Sequence, residues 1–162
     1  DTAIDAGKLI LINDGRKVKI ARAINSLTTT SEAKGSKFKK IKLIDVMDLI
    51  QYDFTTTIED NYIGKIPNDY DHKVLLNSAM LGYLLGLESD NLLAKGESTV
   101  DINIEAQRNY LVSTKWTSDD GKTALNASEQ QIKEANTDDQ VFVKAHIVEL
   151  DTMEDIDVLV TI

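Results

Sequence analysis

Hydrophobic positions change their period along the chain, and each change marks an element. Lys8-Leu9-Ile10-Leu11-Ile12 is a short apolar run ending in Asn13-Asp14-Gly15. That triplet is a turn signal, because Asp-Gly readily supplies the positive φ of a tight turn. Beyond it, Val18, Ile20 and the apolar positions of 21–24 alternate with Lys17, Lys19 and Arg22, the pattern of a strand with one wet face. A β-hairpin is predicted. Residues 27–37, rich in Thr, Ser, Gly and Lys, predict a surface loop.

From Ile41 the spacing lengthens to three and four. Leu43, Val46, Met47, Ile50, Phe54 and Ile58 predict an amphipathic helix to about Tyr62, with Thr55-Thr56-Thr57 as its weak point. Gly64 suits a C-terminal cap and Pro67 a stop. Asn68 is the expected N-cap of a second helix, with Asp69 and Asp71 near its positive end and an apolar face running from Val74 to Leu87. Two long helices on so short a connection predict an antiparallel pair.

The second half is read as shorter pieces. Val100, Ile102 and Ile104 alternate with Asp101 and Asn103 in a strand, and Glu105–Thr114 predicts a helix with Tyr110 and Leu111 inward. A turn is expected at Ser118–Gly121, and the Ser128…Gln131 spacing of a capping box opens a brief helix. Val141–Leu150 and Ile156–Ile162 read as strands around a turn at Asp151-Thr152. The predicted class is α+β: β-hairpins and a mixed sheet packed against two long antiparallel helices, in one domain over 1–162.

The 162 residues contain no cysteine, so disulfides, thiolate metal sites and a cysteine nucleophile are excluded, in keeping with a reducing compartment. No apolar run is long enough to span a membrane. Asp1 opens the chain without an initiator methionine, which predicts a processed product or an excised domain. The net charge of −9 is unevenly spread: residues 1–42 carry +6 and the remaining 120 carry −15. Such blocks are compatible with plain solubility, or with a subunit whose opposite faces attract copies of itself head to tail.

Candidate chemistry is sparse. His72, beside Asp69 and Asp71, has no second histidine or spaced carboxylate to make a metal site, and reads as a polar helix-start residue. His146 alternates with Lys144 on one strand face. Nucleotide, nucleophile-elbow and zincin motifs are absent, and no carboxylate pair stands out, so no catalytic, cofactor or metal residue is assigned. Asp151, Glu154, Asp155 and Asp157 lack calcium-loop spacing and read as a solvated hairpin end. Lys34–Lys42, with five lysines around Phe38, fits a nucleic-acid or anion-binding module, or a solvated loop leading into a helix. Ile156, Val158, Val160 and Ile162 place four β-branched apolar residues on one face of a terminal strand. Such an edge either pairs with Val141–Leu150 or adds to another subunit's sheet.

Several segments, in order, carry a resemblance. They are Gly7–Leu11, Val18-Lys19-Ile20-Ala21-Arg22-Ala23-Ile24 through Thr29, Ile41–Ile50, Tyr62-Ile63-Gly64-Lys65, Val100-Asp101-Ile102, and Val141-Phe142-Val143 through Met153–Ile156. Together they resemble the C-terminal domain of contractile phage tail sheath proteins from Gram-positive phages and related prophage-derived or bacteriocin-like particles. The resemblance implies a longer, non-enzymatic structural subunit of a virion or tail-like particle, assembled in the host bacterial cytoplasm. Its copies would form helical rings around the inner tail tube, meet the baseplate, and contract to drive the tube through the target envelope. No cofactor, nucleic acid or membrane enters this role, and the isolated domain need not polymerise. By the same analogy residues 155–162 are a strand-donating arm, with Ile156, Val158, Val160 and Ile162 as its assembly strand. The receiving hairpin would carry Leu9, Leu11, Val18 and Ile20.

Overall fold

The computed structural model of the chain describes residues 2–32 and 34–161. In chain order it contains α1 (Thr2–Asp5), β1 (Leu11–Asn13), β2 (Val18–Ile20), a 3-10 turn at Ser36–Lys39, α2 (Ile41–Asn61), α3 (Tyr70–Ser89), β3 (Thr99–Ile102), α4 (Ile104–Ser113), α5 (Glu129–Glu134) and β4 (Val143–His146). Helices and antiparallel strands in one chain make it α+β, as predicted. The chain divides into two compact units, Asp1–Asp53 with Glu149–Ile162, and Phe54–Val148.

In the first unit β1 and β2 pair antiparallel, with Leu11 opposite Ile20 and Asn13 opposite Val18. The turn is set by side chains. Asn13 Oδ1 accepts from Gly15 N at 2.9 Å, and Asp14 Oδ1 accepts from Arg16 N and Lys17 N at 3.0 Å each. Gly15 takes the φ of +87° that the Asp-Gly signal implies. After the hairpin, Ile24 bridges Lys40, with Asn25 N donating to Lys39 O and Ile41 N to Ala23 O. Ile24, Leu43, Val46 and Ile50 are the buried apolar residues of this unit. The predicted loop over 27–37 holds no strand among its described residues, and the 3-10 turn starts at its end.

In the second unit the Phe54 and Tyr83 rings meet with centroids 5.5 Å apart, so α2 and α3 touch beyond their connection. The three threonines do not interrupt α2. The N-cap of α3 is Asp69 and not the expected Asn68: Asp69 Oδ1 accepts from His72 N at 2.9 Å and pairs with the His72 ring at 2.8 Å. Asn68 is drawn off to tie down a loop, its amide donating to Thr137 Oγ1, Asp138 O and Gln140 O. Lys73 is buried beside it, donating to Ala135 O and Thr137 Oγ1 at 3.1 Å, and burial lowers its pKa despite Asp69 nearby. The capping box at Ser128 and Gln131 forms as predicted. Leu111, Ala124, Ala127, Ile132 and Ala135 make a core cluster, flanked by Ile104, Tyr110 and Trp116.

The sheets depart from expectation. In place of one mixed sheet, the described residues form two separate two-stranded antiparallel sheets, β1-β2 and β3-β4. Val143–His146 pairs with Thr99–Ile102, which sets Ile102 against Val143 and Val100 against Ala145 on one face. That strand is therefore not the hairpin partner of the terminal segment. The described residues 151–161 have no regular structure and form no hairpin with 141–150. A lone strand gains nothing from an extended conformation until a neighbour accepts its backbone hydrogen bonds.

Candidate assembly site

The β1-β2 ribbon presents an apolar face to solvent. Side chains opposite one another across an antiparallel pair share a face, so Leu11, Ile20 and Val18 lie together, with Leu9 two residues before Leu11 on the same side. All four are between 50% and 63% exposed. Lys17 and Lys19 point to the other face. Lys19 Nζ reaches Asp14 Oδ2 at 3.0 Å, and the Asp14 carboxyl is held below its usual pKa by the Lys17 and Arg16 amides and then by Lys19.

Residues 156–161 are the complement of this ribbon in composition. Ile156, Val158 and Val160 are 73–77% exposed; Ile162, the fourth residue of the predicted strand, lies outside the described residues. The seven described residues assigned to donor and receiver are all β-branched or leucine side chains, and each is at least half exposed.

The root of that segment is pinned, which the sequence reading missed. The bridge between Ile24 and Lys40 places two cations near one another, and the acidic run 149–155 lies on them. Arg22 Nη2 grips both oxygens of Asp155 at 2.8 and 2.7 Å, and its Nη1 stands 3.4 Å from Glu154 Oε2. Lys40 Nζ donates to Glu154 Oε2 at 2.5 Å and lies 3.4 Å from Asp151 Oδ2, while Lys37 reaches Glu149 at 3.5 Å. The bidentate Asp155 contact raises the Arg22 pKa. Partial burial opposes the Lys40 charge, but Glu154 and Asp151 outweigh it and raise its pKa. The Thr152 amide, then Lys40 and Lys42, lower that of Asp151.

Glu154, Asp155 and Asp151 are thus an ionic clasp and not a solvated hairpin end. The signal was present as the +6 and −15 blocks, but spacing cannot reveal a partner 133 residues away. The clasp also engages Lys37 and Lys40 of the basic Lys34–Lys42 stretch, and Phe38 is half-buried. His72 serves the α3 cap, and His146 and Lys144 sit exposed across from Thr99 and Asp101.

The clasp has a bounded pH range. Asp151, lowered, contributes above its unfolded value of 3.8 and loses that contribution as pH falls through its folded value. Lys40, raised, contributes fully below 10.5 and loses it as pH rises through its folded value. Hydrogen-exchange protection of residues 149–155, taken as intrinsic over observed rate at each pH, should be greatest near neutrality at low salt. It should fall below about pH 3.8, above 10.5, and in 1 M salt, where screening acts within roughly 3 Å. Exchange indifferent to salt would mean that the ion pairs do not hold this segment.

Among the described residues, the β1-β2 ribbon pairs with no third strand and residues 156–161 pair with none. Comparison with known proteins makes the class specific. The phage tail sheath C-terminal domain family matches residues 33–162. A tail sheath protein of Clostridium phage phiCD119 is 40% identical over 160 residues, covering 99% of this chain and 43% of that protein. The chain therefore spans less than half the length of this curated relative. A sheath tail protein from Desulfitobacterium hafniense superposes with a TM-score of 0.56 at 25% identity, over 63% of this chain and 25% of that one. One from Listeria innocua shares the fold, with a TM-score of 0.50 at 21% identity over 93% of this chain and 33% of that one. The chain belongs to the phage tail sheath C-terminal domain family.

Proposed function

We propose that this chain is the linking part of a longer sheath subunit that polymerises around an inner tail tube, engages a baseplate and contracts to drive the tube through a target envelope. The observation that carries this reading is the pairing of two unsatisfied surfaces in one chain: the exposed apolar ribbon of Leu9, Leu11, Val18 and Ile20, and the unpaired segment of Ile156, Val158 and Val160. A donor and a receiver on different parts of one subunit make a heterologous contact, which propagates into an open helical lattice. Strand addition supplies backbone hydrogen bonds in register and side-chain contacts on one face. Contraction then needs interfaces with two packings of similar free energy while the strand links hold. The site is the particle, put together in the host bacterial cytoplasm, and no enzymatic step is required.

Negative-stain microscopy of the full-length gene product tests this. Hollow tubes whose yield falls steeply with ionic strength are expected, since the linking surfaces carry opposite charge. A subunit that stays monomeric across salt and concentration would sink the reading. The competing module built on Lys34–Lys42 would bind DNA with a strong salt slope. With Lys37 and Lys40 committed to Glu149, Asp151 and Glu154, no binding is expected at physiological salt.

A further inference from the structure

The charges of the donor and the receiver are not all accounted for by the clasp. Asp155 is held by Arg22 of its own chain, so the first carboxylate beyond the clasp is Asp157, which has no ion pair among the described residues. On the ribbon, Lys19 is engaged by Asp14, whereas Lys17 has no ion pair among the described residues. Among the described residues, Asp157 is the one acid of 149–161 without an ion pair, and Lys17 shares that state with Lys8 and Arg16 but is the one that stands beside β2 and shares the face of Lys19.

We infer that Asp157 of one copy pairs with Lys17 on the ribbon of a second copy, and that this pair sets which face of the added strand turns toward the ribbon's apolar side. The inference rests on the strand-donation reading above. In an added strand, alternate residues fall on opposite faces. When Ile156, Val158 and Val160 extend the face of Leu11, Val18 and Ile20, Asp157 must fall on the face that carries Lys17 and Lys19. A slip of one residue reverses every side chain. Asp157 would then stand among Leu11, Val18 and Ile20, a carboxylate without a partner on an apolar face, and the three β-branched residues would face the lysines. Apolar matching and charge matching therefore select the same parity.

Complementary charge also favours a second copy of this chain as the partner. The ribbon from Lys8 to Arg22 carries five basic residues and one acidic, and residues 149–161 carry five acidic and no basic ones. Because Asp155 and Glu154 are already committed, the attraction left for a neighbour is concentrated on Asp157.

The test is binding of a fluorescent peptide of residues 156–162 to the intact chain, followed by anisotropy at low salt. Asp157→Lys in the peptide, or Lys17→Glu in the chain, should each weaken binding about fivefold, as expected for a cross-strand pair turned repulsive. Combined, they should return it to within about twofold of the starting affinity, because the cycle isolates the pair. Asp157→Lys sits in the peptide, so it cannot act by unfolding the receiver. Single changes that leave affinity unaltered, or a combination as weak as the product of the two, would overturn the pairing while strand donation stands. A wild-type peptide that does not bind at all would overturn the strand-donation reading first.

Discussion

A full-length subunit lacking residues 156–162 should fold as before and fail to build tubes. The expectation has two halves with separate causes. Ile156, Val158, Leu159 and Val160 are all more than 70% exposed, so their removal takes nothing from the folded core and the melting temperature should hold. Assembly should be lost, because each link would forfeit a set of backbone hydrogen bonds and three apolar side chains. Burying such side chains is worth about 1.5–3 kcal/mol apiece in full, less for the partial cover a strand edge provides. Association costs about 4–15 kcal/mol before any contact shows as affinity, so no single link has a margin to lose. Calorimetry and negative-stain microscopy of the same preparation read the two halves. Intact tubes from the truncated subunit would remove the segment from the linking role.

Leu111→Ala should produce a large loss of stability in the unit Phe54–Val148. Leu111 is fully buried on α4 and packs in the cluster of Ala124, Ala127, Ile132 and Ala135. Its alanine and isoleucine neighbours are small or stiff and cannot close over the space it leaves, so the cavity persists. Large-to-small changes of this kind cost about 2–5 kcal/mol, a large share of the ~5–15 kcal/mol that holds a domain folded. Val112, the next residue, is 42% exposed, and Val112→Ala should shift urea unfolding by about 0.5 kcal/mol or less. A Leu111→Ala midpoint close to that of Val112→Ala would mean that the cluster does not carry this unit.

What was legible in the sequence followed from local chemistry. Asp14-Gly15 and the alternation around Val18 located the ribbon, and Ser128 with Gln131 located α5, because turns and caps are settled within four residues. The long helices followed from sustained periodicity that three threonines could not break. Failures came where the decisive partner is far along the chain. Val143–His146 took Thr99–Ile102 as its neighbour instead of the terminal run, and no local signal distinguishes these. Asp69 caps α3 in place of Asn68, whose side-chain nitrogen is turned to Thr137, Asp138 and Gln140, partners some seventy residues away. In the candidate site, the two exposed segments proposed as donor and receiver were visible as apolar runs. Their anchoring was not, since Arg22 and Asp155 are paired through space alone.

The Arg22–Asp155 contact has a mechanical consequence. A pull on residues 156–161 does not first reach the core; it arrives at a guanidinium whose Nη2 is held by both oxygens of one carboxylate. From there it passes along the backbone to the Ile24–Lys40 bridge, whose lysine also grips Glu154. The acids of the clasp follow one another along the chain, so the pull meets Asp155 first and reaches Glu154, Asp151 and Glu149 only as each earlier pair gives way. A tether rooted in this way yields, when it does yield, by exchanging ions with water, and it can re-form without the domain having unfolded.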